Sequence, residues 1–178
     1  MNFFPKINRW CLPATVLEQS MAEMAIDGRD GNEGTCFWLG KRAKGEAEVS
    51  HLIFLRGDGI HKSPLNVRVS AELMREVHER AEALGLTLVG QIHSHSSLCG
   101  VDMSASDHAY GVSVPFFLSI ICPDYAQDSG TTLLDCGVHV CLPGRGYVRL
   151  HRKEVKRKMI LVSGLLASAS VIGENYGN

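Results

Sequence analysis

Two histidines that stand two positions apart are the residues of this sequence best suited to chemistry. His93 and His95 end an apolar run, residues 87–95, that has the length and composition of a β-strand. Because side chains alternate between the two faces of a strand, residues i and i+2 lie on the same face. Both imidazoles therefore point the same way, and neutral imidazole is a common zinc ligand. The pair predicts part of a metal site.

A catalytic zinc site needs a third protein ligand and one position left open for water. We favour Asp107 as this ligand, because it falls in the first turn of a short predicted helix, from which a carboxylate can reach back to the end of the strand. Asp102, His108 and Cys99 lie in the same segment and stay open as alternatives. A Cys99 thiolate bound at the open position would silence an enzyme built on this site.

Ser104 stands three residues before Asp107, which is the spacing of a capping box at the start of a helix. This structural explanation is compatible with a functional one. A serine that caps a helix still presents its hydroxyl to a ligand. We therefore treat Ser104 as both a helix cap and a candidate site residue.

Hydrophobic periodicity indicates the elements that position these residues. Apolar residues at three- and four-residue spacing predict a helix from Pro13 to Gly28, and Ser70 can cap a second helix that ends at Gly85. Short β-type runs separate the two helices and predict a meander of antiparallel strands. These runs cover residues 35–40, 48–56 and 65–69.

The second half of the chain is predicted to be mostly strand. A short helix near Ser104 precedes a buried strand at 116–122, a hairpin formed by 133–142 and 146–151, and a short strand at 159–162. The small-residue tail at 163–178 is expected to fray. The sum is an α+β fold with a single domain over residues 1–178, whose core spans about 13–162 and contains a mixed, mainly antiparallel sheet flanked by helices.

Composition and charge limit the classes of function. A chain of 178 residues that is 45% hydrophobic can bury a core without disulfides, but it is too short for a typical (β/α)₈ barrel. The formal net charge of −1 provides no overall attraction to nucleic acid or anionic membrane. The basic run at 149–158 is interpreted as a solvated helix face, and the apolar run at 159–172 is too short and polar to span a bilayer. We expect no nucleic-acid or membrane partner.

Cysteine usage indicates the compartment. The six cysteines lie in apolar contexts and form no Cys-x-x-Cys pair, so we interpret them as reduced, mostly buried thiols. The N-terminus lacks the apolar stretch and cleavage site of a signal peptide. A cytoplasmic protein is the expectation.

The site residues resemble the signature of a known family. His-Ser-His, a loop and then Ser104-x-x-Asp107 is similar to the pattern of the JAMM/MPN-plus zinc metalloproteases, in their prokaryotic JAB branch. Glu33 stands just ahead of an apolar strand that ends at Gly40, as the catalytic glutamate of that family does. The order of elements agrees over roughly residues 13–145. Two departures are Ser96, where the family commonly has proline, and a loop before Ser104 that is one residue longer than usual.

The resemblance implies an MPN-like, cytidine-deaminase-like fold and a bacterial, deubiquitinase-like isopeptidase. Its substrate would be the peptide or isopeptide bond after the C-terminus of a ubiquitin-like protein. His93, His95 and Asp107 would hold Zn²⁺, Glu33 would act as general base, and Ser104 would stabilise the oxyanion.

Two other functions fit the same resemblance. One is a JAMM-type protease that processes a sulfur-carrier or small peptide precursor. The other is a non-catalytic MPN scaffold, whose hallmark would be missing ligands. The sequence leaves the oligomeric state open.

Overall fold

The computed structural model describes residues 5–163 and 167–173. This part of the chain contains four α-helices and eleven strands, nine of which form one large mixed sheet. The helices are α1 (Ala14–Arg29), α2 (Ala71–Ala83), α3 (Ala105–Tyr110) and α4 (Arg152–Lys158). The strands are β1 (Arg9–Pro13), β2 (Thr35–Ala43), β3 (Glu46–Leu55), β4 (Ile60–Ser63), β5 (Asn66–Val69), β6 (Thr87–Ser94), β7 (Leu118–Cys122), β8 (Gly137–Leu142), β9 (Gly146–Arg149), β10 (Met159–Val162) and β11 (Ser168–Ile172).

The large sheet follows the strand order β10-β1-β3-β2-β6-β7-β8-β9, and β11 also pairs with β3. Antiparallel pairs join β3, β2 and β6 at its centre and β7, β8 and β9 towards one edge. The β6–β7 pair and the strands from the two ends of the chain are parallel. The protein is therefore a single α+β domain with a mixed sheet flanked by helices, as predicted.

The sheet has a hydrophobic core on each face. Neighbouring residues of β2 serve different cores: Trp38 belongs to the larger one, under α1, and Phe37 to the smaller one, under α2. The Trp38 Nε1–H donates to Ser20 Oγ at 3.0 Å, which joins α1 to the sheet. Leu73 and Val77 form the buried face of α2. Alternation along β2 thus fixes which helix covers which face.

The predicted helices are confirmed. α1 begins directly after Pro13, and α2 follows Ser70, whose hydroxyl accepts the Leu73 backbone N–H at 3.1 Å. α3 follows Ser104 with both hydrogen bonds of the capping box. The basic run contains α4, whose cationic residues are mostly exposed, as a solvated helix face should be.

Several strands differ from the prediction. The run at 65–69 does not join the central meander, because β5 pairs with β4 in a separate two-stranded sheet. β1 was not predicted. The expected fraying of the tail is wrong for Ser168–Ile172, which pair with His51–Leu55 of β3 in parallel register. The His51 ring supports that pairing through a hydrogen bond with Ser170 Oγ at 2.9 Å. Residues 164–166 and 174–178 of the tail lie outside the described residues.

All six cysteines are unpaired and four of them are buried, as expected for mostly buried thiols. Within 5–163 and 167–173, no helix combines the length and apolar character needed to cross a bilayer.

Candidate metal centre

The two histidines lie at the C-terminal end of β6, between strands that hold them on both sides. His93 is in register with Thr35 of β2 and with Ile121 of β7. One residue beyond the strand, the His95 N–H donates to the Cys122 carbonyl at 2.9 Å. The backbone at both positions is therefore fixed, and both side chains are buried.

Three ligand atoms converge at this point. The Nε2 atoms of His93 and His95 lie 3.2 Å apart, and each lies 3.3 Å from an oxygen of Asp107. Ligands at about 2.0–2.1 Å from a tetrahedral zinc ion stand roughly 3.3 Å from one another, so the spacing fits such an ion. These three residues are the one group of potential metal ligands of this kind among the described residues.

The second nitrogen of His95 supports a role as ligand. Its Nδ1 lies 3.1 Å from the Gly100 carbonyl oxygen. Because a carbonyl only accepts, Nδ1 must carry the proton, and in the neutral ring this leaves the Nε2 lone pair free to bind a metal. A hydrogen bond to the ring nitrogen that faces away from the metal orients the ring and increases its basicity. The donor set of two imidazoles and one carboxylate therefore fits a divalent cation.

Asp107 is held by the helix that carries it. Its Oδ2 accepts the Ser104 backbone N–H at 2.7 Å, and its own N–H donates to Ser104 Oγ at 3.1 Å. Burial raises the pKa of Asp107, but the contacts with His93 and His95 outweigh this and hold the pKa well below its usual range. The carboxylate is thus ionised at neutral pH, as a metal ligand must be.

Glu33 stands in the loop before β2 and lines the same cavity as His93 and Asp107. Its side chain is buried, and its N–H donates to the Ser63 carbonyl at 2.9 Å. Burial raises the pKa of Glu33 to about 7; Asp107 raises it further, whereas His95 opposes the shift. A carboxyl group with a pKa near neutrality is suited to accept and release protons.

Gly34 and Ser94 tie the glutamate loop to the histidine strand. The Gly34 N–H donates to Ser94 Oγ and the Ser94 N–H donates to the Gly34 carbonyl, both at 3.0 Å. A side chain at Gly34 would meet the backbone of Met24 in α1 at 2.8 Å. Glycine is needed there because α1 approaches the loop so closely. Sequence reasoning missed these positioning residues, although Gly34 and Ser94 directly adjoin predicted site residues.

Ser104 lies at the start of α3 and is partly buried. Its Oγ accepts a hydrogen bond from Asp107, so the hydroxyl proton remains available to donate elsewhere. The structure thus brings Ser104 to the edge of the site through Asp107.

The alternative ligands do not join the histidine pair. Asp102 is exposed and bonds Arg149 at 2.6 Å. His108 and Cys99 are exposed, and the Cys99 thiol accepts a hydrogen bond from Ser96 Oγ at 3.2 Å. Cys99 therefore belongs to the loop and not to the group of three ligands.

A cavity of about 380 Å³ opens beside the three ligands. Its apolar walls come from β2, β5, α2 and the segment after α3. Arg68 of β5 lies over the Tyr110 ring of α3, 5.8 Å from the ring centroid, and Ser106 Oγ donates to Asn66 Oδ1 at 3.2 Å. These contacts connect the β4–β5 hairpin to α3 across the cavity. The role of this hairpin is not evident from the sequence.

The chain is similar to proteins that are already known. It is 26% identical over 130 residues to a protein of Sinorhizobium fredii named "Probable metalloprotease y4jG". The aligned residues cover 72% of this chain and 79% of that protein. No protein-family profile matches the chain.

Two solved structures share the fold. The solution structure of protein DSY2949 from Desulfitobacterium hafniense has a TM-score of 0.63 and 17% identity, and covers 88% of this chain and 94% of its own. A solution structure of a protein from Salinibacter ruber has a TM-score of 0.55 and 21% identity, and covers 85% of this chain and 90% of its own. At these identities the likeness concerns the fold alone.

Proposed function

We propose that this protein is a zinc metalloprotease of the JAMM type, which hydrolyses the peptide or isopeptide bond after the C-terminus of a ubiquitin-like protein. The observation that carries the proposal is the spacing of His93, His95 and Asp107 beside the buried carboxyl group of Glu33. The similarity to a probable metalloprotease supports the general class of reaction. The resemblance of the motif to that of the JAMM/MPN-plus family supports the more specific assignment to the JAMM type.

Zinc is the metal that suits the proposed reaction. Two histidines and one carboxylate are a catalytic zinc ligand set that leaves one position open for water, although the same donors also form the facial triad of non-haem iron enzymes. The separations of 3.2 and 3.3 Å are compatible with a tetrahedral zinc ion. A general base beside the site also suits hydrolysis.

Glu33 is the proton carrier of the proposed mechanism. A bound zinc ion would lower the pKa of a coordinated water to about 7 and polarise the scissile carbonyl. Glu33 accepts the proton of the attacking water and then donates it to the leaving amine. Without a metal ion, burial raises the pKa of Glu33 to about 7. The positive charge of a bound zinc ion would lower this pKa and so keep the carboxylate available to accept the proton.

Ser104 would stabilise the oxyanion of the tetrahedral intermediate. Its oxygen is already occupied by the Asp107 N–H, so its hydroxyl proton is free to point towards the substrate. One such donor typically contributes ~10² to 10³ in rate. The capping box orients the hydroxyl before substrate arrives, which is what preorganised stabilisation requires.

The cavity beside the site indicates how a substrate would lie. An extended tail can pair with an exposed strand edge and so reach the metal in a fixed register. We place the tail between the hairpin β4–β5 and α3, the two elements connected by Arg68 and Tyr110. A glycine-rich C-terminus fits best where the hairpin and helix approach each other.

The unpaired cysteines fit a reducing compartment, and we propose that the protein is located in the cytoplasm.

Metal analysis combined with a cleavage assay tests the proposal. The substrate is a ubiquitin-like protein that ends in Gly-Gly and is fused to a reporter, and the variants are Glu33→Gln and His93→Ala. Glu76→Gln, on the exposed face of α2, is the matched control. We expect the wild type to bind one zinc ion and cleave, Glu33→Gln to keep zinc but lose at least 100-fold in rate, and His93→Ala to lose zinc.

Three other outcomes of this experiment would contradict parts of the proposal. Cleavage that survives in Glu33→Gln refutes the assignment of the base. Zinc binding with cleavage of small peptide precursors alone selects the alternative substrate class. Absence of both zinc and cleavage selects the scaffold.

A further inference from the structure

A second cavity, of about 500 Å³, lies between β1 and the β8–β9 hairpin of the large sheet. Its lining comes from residues 6–8, β1, β8, β9 and α4. It shares no lining residue with the cavity beside the metal centre. Its volume is in the range of small-molecule sites.

The walls of this second cavity are apolar and already buried. Trp10, Phe116, Val140 and Leu150 are each less than 9% exposed and line it. Leu142 and Val148 extend the same surface towards the β8–β9 turn. A ligand with an apolar body would therefore meet a continuous hydrophobic surface.

The rim of the second cavity carries unbalanced positive charge. Lys6, Arg145 and Arg157 are exposed there, and no ion pair joins any of them to an acid in the described part of the chain. The one acidic residue of the lining, Glu154, is bound by Lys158 at 2.9 Å. An anionic group at the rim would find three free cations and no competing carboxylate.

The indole ring of Trp10 lines the second cavity, although the residue is almost fully buried. Its Nε1–H is itself buried and has no acceptor among the described residues, whereas Trp38 Nε1–H donates to Ser20 Oγ at 3.0 Å. A ligand in the second cavity would therefore contact the ring of Trp10, and the indole resonance of Trp10 would report on its binding.

We propose that this second cavity is a binding site for a small amphipathic carboxylate. The apolar body of the ligand lies against Trp10 and its neighbours, and the carboxylate lies among Lys6, Arg145 and Arg157. This proposal does not depend on the proposed protease activity.

Titration of the full-length protein with 2-naphthoate tests the proposal by ¹⁵N NMR. The two indole N–H resonances report separately on Trp10 and Trp38, and a Trp10→Phe variant assigns them. We expect a saturable shift of the Trp10 resonance, with the Trp38 resonance unmoved. The neutral isostere 2-naphthamide should bind at least tenfold more weakly.

A matched pair of charge reversals locates the carboxylate. Arg157 lines the second cavity, whereas Lys156 next to it is exposed on α4 and lies outside the lining. Arg157→Glu should weaken 2-naphthoate binding at least tenfold, and Lys156→Glu by no more than twofold. Both positions are exposed, so both variants should fold, which the dispersion of the amide spectrum verifies.

Several results would overturn the proposal. Four of them are a Trp10 resonance that 2-naphthoate does not move, equal binding of 2-naphthamide, equal weakening by the two reversals, and an equal response to inorganic phosphate alone. Binding that appears only after residues 2–4 are deleted would assign the second cavity to the N-terminal segment of the chain itself, and would also overturn it.

Discussion

His139 should make the stability of this protein fall in mildly acidic solution. The residue is buried in β8, and its Nδ1 has no hydrogen-bond partner among the described residues. Burial lowers its pKa to about 4, from 6.5, and Arg149 and His93 add to this effect. Asp102 and the backbone of Gly137 act in the opposite direction but do not compensate.

The sign and size of the effect follow from proton linkage. Because the folded state binds this proton less readily than the unfolded state, protonation favours unfolding as the pH falls from 6.5 towards 4. A shift from 6.5 to about 4 has a limiting value of about 3 kcal/mol at 1.36 kcal/mol per pH unit. Between pH 7 and pH 4.5, about 2 kcal/mol of this is lost.

Urea unfolding of the metal-free protein at pH 7 and at pH 4.5 measures the effect. We expect the free energy of unfolding of the wild type to fall by about 2 kcal/mol more than that of His139→Gln. Glu33, His95 and Asp107 also titrate, but they do so equally in both proteins and cancel. His78→Gln is the control, because His78 is exposed on α2. An equal pH dependence of wild type and His139→Gln would refute the reasoning.

Three further predictions concern the metal centre. Removal of the metal by a chelator should lower the Tm by several degrees, measured by scanning calorimetry, because binding to the folded state alone is stabilising. Gly137→Ala should destabilise the fold by about 2 kcal/mol or more in urea unfolding and weaken zinc binding, since a Cβ there would lie 1.8 Å from the Val101 carbonyl of the loop after His95. Cys99→Ala should change the rate of cleavage by less than twofold, because the thiol is exposed and lies outside the ligand group; a large increase in rate would instead support inhibition by Cys99.

Local sequence patterns predict the elements around the candidate site well. The period-two spacing of His93 and His95 needs only an extended chain to place both rings on one face. β6 provides it up to Ser94, and the hydrogen bond from the His95 N–H to the Cys122 carbonyl continues the pairing one residue further. Ser104 and Asp107 need only the first turn of a helix, and α3 provides it with both capping hydrogen bonds. Each inference depends on residues close in sequence, where backbone geometry alone fixes the result.

Long-range pairings of short strands could not be predicted in the same way. β1 and β11 are each five residues long and come from opposite ends of the chain, yet they share one edge of β3. Neither strand has a strong alternation of apolar and polar residues, because backbone pairing with β3 is what stabilises both. Whether such a short segment forms a strand depends on the strand that it pairs with, and the composition of the segment does not encode this.

The same distinction explains why Glu33 is the hardest site residue to predict from its own surroundings. In sequence it is an acid in a turn-rich loop, and only the family resemblance gave it a role. In the structure its position depends on three remote contacts: its N–H with Ser63, the paired hydrogen bonds of Gly34 with Ser94, and the packing of Gly34 on Met24. The pKa of about 7 that suits Glu33 to proton transfer arises mainly from the burial that these contacts impose. The chemistry proposed for Glu33 is therefore a product of tertiary structure, whereas the placement of the histidine pair follows from local backbone geometry.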